Sequence, residues 1–239
     1  MNIQRILPLL LAVPLLAQPT PKAADAIVPV VGSTRGQSNA NFKTELQLTN
    51  TSEVTSSGWL IYRPFGLVQR YELAAFATRS YADVVAAMGG SGLGSLDILV
   101  DAGSLPAIVA RAYDDQPNGT TGVTVPAVAI EDVLTRNDVV ALIAPRDRTR
   151  YRFNVGVRAV DDGATLELTV HDAAGVTRHT RTITFGAHEF VQQPGDSFAG
   201  IALQSDDSIA IRVTAGTAIV YATTVDNITN DGAIQVLPR

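Results

Sequence analysis

The strongest constraint on the fold of this chain is an alternating apolar pattern that occurs twice in the same register. Phe42-Lys-Thr-Glu-Leu-Gln-Leu48 is apolar on even positions, and Tyr151-Arg-Phe-Asn-Val-Gly-Val157 on odd ones. Side chains two apart share one face of a strand, so each segment reads as a strand with one buried face. The separation, 151 minus 42, is 109, and it also aligns Phe76 with Phe185 and Tyr81 with Phe190. Leu96-Asp-Ile-Leu-Val100 then matches Ile209-Ala-Ile-Arg-Val213 at 113 (209 minus 96), and Ile108-Val109 matches Ile219-Val220 at 111 (219 minus 108). Small shifts of this kind are loop insertions, and a register held over so many strands marks an internal duplication.

Within the first copy, short apolar runs bounded by Gly, Asn, Asp and Ser predict strands near 27–32, 42–50, 57–63, 68–76, 95–101, 105–114 and 123–128. Seven strands at this spacing suit an immunoglobulin-like β-sandwich. The expected architecture is therefore all-β, with two tandem, separate sandwiches spanning 27–132 and 137–239. Phe42, Leu46 and Leu48 should be buried, with Tyr151, Val155 and Val157 as counterparts, while Lys43, Glu45 and Gln47 face out. In the second copy, Leu166, Leu168 and Val170 alternate with Glu167, Thr169 and His171, and Asp172-Ala-Ala-Gly175 turns the chain into a hairpin. One helical signal interrupts the strands: Ser80-Tyr-Ala-Asp83 reads as a capping box before Val84–Met88, stopped by Gly89-Gly90. Pro194-Gly195 at the equivalent place argues that this turn need not recur.

The N-terminus predicts export. Arg5 precedes an apolar run from Ile6 to Ala17, followed by polar, proline-rich residues, which is the layout of a signal peptide and too short to span a bilayer. Cleavage falls after Ala17, or as late as Ala26, where Ala24-Asp25-Ala26 gives the A-x-A pattern; the shorter distance favours Ala17. The expected mature chain has no membrane span and is secreted or periplasmic. With 0 Cys, neither a disulfide framework nor a thiolate metal site is available, so stability must come from packed cores. Removing Arg5 with residues 1–17 leaves 17 of the 18 basic side chains against 23 acidic ones, a net charge near −6. Such a surface repels phosphates, and no basic cluster offsets it, which argues against nucleic acid as a partner.

The segments Phe42-Lys-Thr-Glu-Leu-Gln-Leu-Thr-Asn50, Ala110-Arg-Ala-Tyr113 and Val220-Tyr-Ala-Thr-Thr-Val-Asp-Asn227 resemble a family of uncharacterised secreted bacterial proteins built of two tandem β-sandwich repeats. The resemblance covers nearly the whole mature chain. It implies the fold repeat and brings no catalytic residue with it.

Catalytic patterns fail on spacing. Gly89-Gly-Ser91-Gly is followed by Leu93 and so misses G-x-S-x-G, and Gly92-Leu-Gly94 runs on into a strand rather than opening a helix. His171, His179 and His188 show no close metal-ligating spacing and read as surface strand residues. The pairs Asp114-Asp115, Asp161-Asp162 and Asp206-Asp207 fall in predicted turns, where Asp bonds the local backbone, rather than forming a convergent glycosidase pair. Trp59, Tyr62, Phe65, Tyr71 and Tyr113 are the candidates for a glycan platform, but strand placement makes most of them core.

Calcium is the remaining candidate. Asp114, Gln116, Asn118 and Gly119, and Asn227, Thr229, Asp231 and Gly232, fit positions 1, 3, 5 and 6 of a calcium loop, so Asp114, Asn118, Asn227 and Asp231 are the ligands to test. Position 12, which should be Glu, falls on Val125 and Pro238. Asn118-Gly119 and Asp231-Gly232 are also strong hairpin signals, so turns without metal are expected. The sequence thus predicts no catalytic residue and no cofactor. The expected function is a secreted, non-enzymatic structural or interaction protein presenting sandwich loops to a protein or polysaccharide of the envelope or medium, with a carbohydrate-binding module as the alternative.

Overall fold

The computed structural model describes residues 23–237 and 239, so the predicted signal peptide and the Ala17 cleavage site lie outside the described residues. The first half contains β1 (Ala26–Arg35), β2 (Asn41–Thr49), β3 (Ser56–Arg63), β4 (Leu67–Leu73), β5 (Thr78–Tyr81), α1 (Val84–Ala87), β6 (Gly92–Ala102), β7 (Ala107–Gln116), β8 (Gly119–Val125) and β9 (Val128–Ala129). The second contains β10 (Val139–Ile143), β11 (Tyr151–His171), β12 (Thr177–Phe185), β13 (Phe190–Pro194), α2 (Gly195–Ala199), β14 (Ser208–Asp226) and β15 (Gly232–Leu237). The chain is all-β, with two antiparallel sheets.

In the first half the order is β4-β3-β6-β1-β2-β7-β8, with β5 beside β2 and β9 beside β1. Strand β1 serves both layers: Ala26–Val28 pair with β6, and Thr34–Arg35 pair with β2. The register shifts between Val28 and Val31, around Pro29, which has no N–H to give the ladder and so sits at a bulge. Leu60, Tyr62, Leu96 and Ile98 from one layer meet Leu46, Leu48, Ala110 and Val125 from the other in one core. Strand β2 follows its sequence pattern, with Leu46 and Leu48 fully buried, Lys43, Glu45 and Gln47 at intermediate exposure, and Thr44 also buried. Phe42 and Tyr151 are only half-buried, because both stand at strand ends. The short strand β5 has no apolar alternation and escaped the sequence reading.

In the second half two long strands run through both layers. Strand β11 pairs with β13 and the end of β14 through Tyr151–Ala159, then with β12 and the start of β14 through Ala164–His171. The bend lies at the register shift between Ala159 and Ala164, where Gly163 (φ +75) meets Gly216 of β14 (φ +68). A Cβ on Gly216 would stand 2.0 Å from the Gly163 carbonyl oxygen, so the corner requires glycine for its backbone conformation and for its close approach. Leu166, Leu168 and Val170 fill the core as their alternation predicts, and the Asp172 carboxylate accepts the Ala174 and Val176 N–H groups in the hairpin turn.

Both helical turns differ from expectation. Asp83, not Ser80, is the N-cap of α1, its carboxylate accepting the Ala86 N–H at 3.0 Å, and Ser80 belongs to β5. Despite Pro194-Gly195, α2 forms at the equivalent place: proline lies just before the first helical residue, where its missing N–H costs nothing.

No ladder joins the named strands of the two halves, and buried residues of both pack against each other. Val133 and Leu134 of the linking segment are buried, and Leu134 bridges Ala218. Ile27, Leu99 and Val128 pack with Val160 and Ile219 in a cluster shared by both halves, and Tyr221 reaches into the first core. Trp59 packs against the shared cluster rather than inside the first core, with the Arg70 guanidinium 5.6 Å from its ring centre. Among the described residues, no helix is long and apolar enough to cross a membrane.

Candidate functional site

Strand alternation sets what the two halves show each other. In β6, Leu96 and Ile98 point into the first core, so Asp97 and Leu99 face the second half; in β11, Val155, Val157 and Ala159 point into the second core, so Arg158 and Val160 face the first. Asp97 and Arg158 meet there. One guanidinium nitrogen of Arg158 donates to both Asp97 oxygens, at 2.8 and 2.9 Å, and its Nε donates to Ser95 Oγ at 2.7 Å. Its other terminal nitrogen donates to the Ala159 carbonyl. Asp97 is 2% exposed and Arg158 0%, so this is a dry ion pair. Arg63 Nε also donates to Asp97, at 2.9 Å. Burial pushes the Arg158 pKa below its ordinary value and Asp97 pulls it back, as the competition between desolvation and pairing requires. His188, in a turn at φ +59, has its Nδ1 3.5 Å from Arg158 and 3.6 Å from Asp161. Burial, then Arg63 and Arg158, hold its pKa below the usual histidine value.

Beside this pair, the halves enclose a cleft of ≈ 270 Å³. Strands β1, β2 and β8 give apolar wall through Val31, Phe42 and Val123, and β14 and β15 through Val225 and Ile234. The polar lining is Thr34, Arg35, Gln37, Lys43, Thr44, Asn154, Gln192, Thr223 and Asn230, with Arg152 projecting from β11. None of the lining residues is Asp, Glu, His, Ser, Cys or Tyr. Arg152 donates to Asn227 Oδ1 at 3.0 Å and Asn230 Oδ1 at 2.9 Å, both neutral acceptors. The Asn230 amide is itself oriented by the other half, donating to Asp114 Oδ2 at 3.2 Å.

Asp114, Asn227 and Asp231, three of the four calcium candidates of the acidic loops, are engaged in hydrogen bonds within the chain. Asp114 is not in a turn but buried in β7, its oxygens taken by the Asn41 N–H, Gln116 Nε2 and Asn230 Nδ2. Asn118 is at the exposed β7–β8 tip, beside Gly119 at φ +129. Asn227 accepts from Arg152 and donates to the Thr149 carbonyl, and Asp231 accepts the Gly232 N–H. In that second loop the left-handed residue is Asn230, at φ +56, rather than Gly232. Asp226 organises the turn: one oxygen accepts the Ile228 and Thr229 N–H groups and the other accepts Arg150 Nε, which holds its pKa down at about 2.

The other Asp pairs are also scattered. Asp161-Asp162 lie at the β11 bend, and Asp207, buried, pairs with Arg178 and accepts the Gln204 N–H. Of the aromatic candidates, Tyr62 and Tyr71 are fully buried, with phenols pushed up to about 12 by burial, Trp59 and Tyr113 are half-buried, and Phe65 is 57% exposed. The residues sequence reasoning missed are Asp97, Arg158 and Arg152. Their signals were a charge inside an unbroken apolar run for Asp97, and an arginine on an otherwise buried strand for Arg158.

The sequence matches no protein-family model and no curated protein. Among solved structures it is similar to the serine-rich repeat protein Srr2 from Streptococcus agalactiae, at 12% identity over 88% of this chain and 82% of that one, with a TM-score of 0.23. A likeness at that level carries no argument about fold or role.

Proposed function

We propose that the chain is a secreted, non-catalytic interaction protein made of two tandem immunoglobulin-like sandwiches held as one rigid unit. The observation that supports the non-catalytic reading is the composition of the interdomain cleft: it gathers residues of both halves, but its threonine hydroxyls, Thr34, Thr44 and Thr223, have no carboxylate or imidazole in the lining to serve as base, and the Lys43 ammonium is paired with Asp115. The tandem reading is supported by equivalent pairings. The order β13-β11-β14-β15 parallels β5-β2-β7-β8, and the start of β14 lies between β11 and β10 as β6 lies between β3 and β1. The positive-φ glycines Gly103 and Gly216 stand 113 apart (216 minus 103), the same offset as the β6 and β14 segments.

Export with cleavage after Ala17 fits the way the chain begins to fold. Asp25 donates its N–H to Ile98 and accepts the Val100 N–H, and Ala26 is the first residue of β1, so cleavage after Ala26 removes groups the sandwich uses. The rigid unit presents the β7–β8 tip and the 226–231 turn side by side, with Thr121 Oγ1 bonded to the Thr229 carbonyl, as a joint surface for a protein or polysaccharide of the envelope or medium. The test is expression of the full chain with fractionation: the product should begin at Gln18 in the periplasm or medium. Immobilised protein starting there should retain an envelope component that a variant with both tips replaced does not. Cytoplasmic retention with residues 1–17 intact, or equal retention by the tip variant, would refute the reading.

A further inference from the structure

We propose that the interdomain cleft is a binding site for a small carboxylic acid with an apolar body, its carboxylate held by Arg152. The proposal is independent of what the loop tips engage. Three observations carry it. First, the charge: Arg152 is half-buried, and among the described residues neither it nor Arg35 has an acidic partner, whereas Lys43, also in the lining, is paired with Asp115 at 2.6 Å. A partly desolvated guanidinium facing a cleft without carboxylates favours an anionic occupant.

Second, the orientation. Asn227 and Asn230 accept one hydrogen bond each from the two terminal nitrogens of Arg152, which fixes the planar group without neutralising it. A guanidinium has five N–H donors, so three remain, enough for a two-point carboxylate contact. Asp114 is the nearest acid in this chain of contacts, but it stands behind Asn230, and its oxygens are occupied by Asn41, Gln116 and Asn230. It acts as a positioning residue, holding the Asn230 amide so that its oxygen meets Arg152.

Third, the walls. Val31, Phe42, Val123, Val225 and Ile234 make the rest of the cleft mainly apolar, and Asn154 and Gln192 add neutral hydrogen-bonding groups rather than charge. A volume of ≈ 270 Å³ suits a small molecule rather than a folded segment. Cationic groups, Arg152 together with Arg35 and the Asp115-paired Lys43, beside apolar walls select a compound with both features, since a bare anion leaves the walls wet and an uncharged hydrocarbon leaves the arginines unmatched.

Octanoate and octanol, titrated calorimetrically into the full mature protein, are the probes. Octanoate should bind saturably and octanol roughly ten- to hundredfold more weakly, the scale of a charge-assisted hydrogen-bonded pair. Arg152→Gln should lower octanoate affinity by a similar factor while leaving octanol binding unchanged. If that variant does not fold, the octanoate–octanol difference in the natural protein decides alone. Absence of saturable octanoate binding, equal binding of the two probes, or unaltered octanoate binding by folded Arg152→Gln overturns the assignment. Binding of the tripeptide Ala-Val-Leu without binding of octanoate also overturns it, in favour of a peptide carboxyl terminus.

Discussion

Replacing Asp97 by Asn should be the most damaging single change in the interface between the halves, and by more than its own hydrogen bonds. The substitution keeps size and shape but leaves Arg158, with no exposed surface, facing a neutral amide, with the Arg63 guanidinium close by. Removing one partner of a buried ion pair costs about 3–5 kcal/mol, chiefly because the remaining charge stays desolvated. Arg63→Gln should cost only about 1 kcal/mol, because Arg63 is partly exposed and its loss leaves the Asp97–Arg158 pair in place. Arg158→Met falls between them, since Asp97 then keeps Arg63 as its cation. The double change Asp97→Leu with Arg158→Met removes both charges and should return stability to within about 1 kcal/mol of the natural protein. Urea unfolding at pH 7, followed by fluorescence of the single tryptophan, Trp59, which packs against the shared cluster, and by far-ultraviolet circular dichroism, measures all four. An Asp97→Asn cost no larger than that of Arg63→Gln, or a double variant as weak as Asp97→Asn, refutes the reasoning.

Leu46→Ala should cost about 2–5 kcal/mol, because the side chain is fully buried between layers; an unchanged thermal midpoint would show that it does not fill the core. Gly175→Ala, at φ +81 with open space around it, should cost about 1–2 kcal/mol for its left-handed backbone, and Gly216→Ala clearly more, because a Cβ there meets the Gly163 carbonyl; equal costs in denaturation would mean that the corner yields. Asp226 has a folded-state pKa of about 2 against 3.8 for an ordinary Asp, so it contributes stability above pH 3.8 that fades as pH falls toward 2. Thermal midpoints from pH 5 to 2 should therefore fall less steeply in Asp226→Asn than in the natural protein, and parallel curves would exclude the linkage.

Much of the fold was legible because alternation reports one-sided burial directly: β1, β2, β3, β4, β6 and β7 fall where the apolar runs place them, whereas the run at 123–128 covers only the end of β8 and the start of β9. The interface was harder to read. Gly94–Val100 is buried without a break, so period-two alternation disappears and Asp97 looks like an interruption instead of a residue facing a second body. Arg158 sits in Val-Gly-Val-Arg-Ala-Val, where burial on the far face comes from the first half, information that no local pattern holds. Asp114 misled for a related reason: Asp-Asp before Asn-Gly resembles a turn, yet β7 carries its pairing through both aspartates to Gln116. Arg152 and Asn230 come together only through the pairing of β11 with β14, so the cleft could not be assembled from spacing.

The two long bent strands also decide how the second half responds to force. Strand β11 runs 21 residues and β14 19, and they stay paired on both sides of the glycine corner. At ~3.3 Å per residue the contour of β11 is about 70 Å, folded over one core. A tensile load entering at either end is therefore carried by ladders in both layers at once, and neither layer can be peeled off while the other stays intact. In the first half the corresponding strands are separate elements, β2 and β3 joined by the loop at 50–55 and β6 and β7 by the loop at 103–106, so no single strand runs through both layers along that path. Stretched from its ends, the second half should rupture in a single step at higher force, and the first should yield earlier.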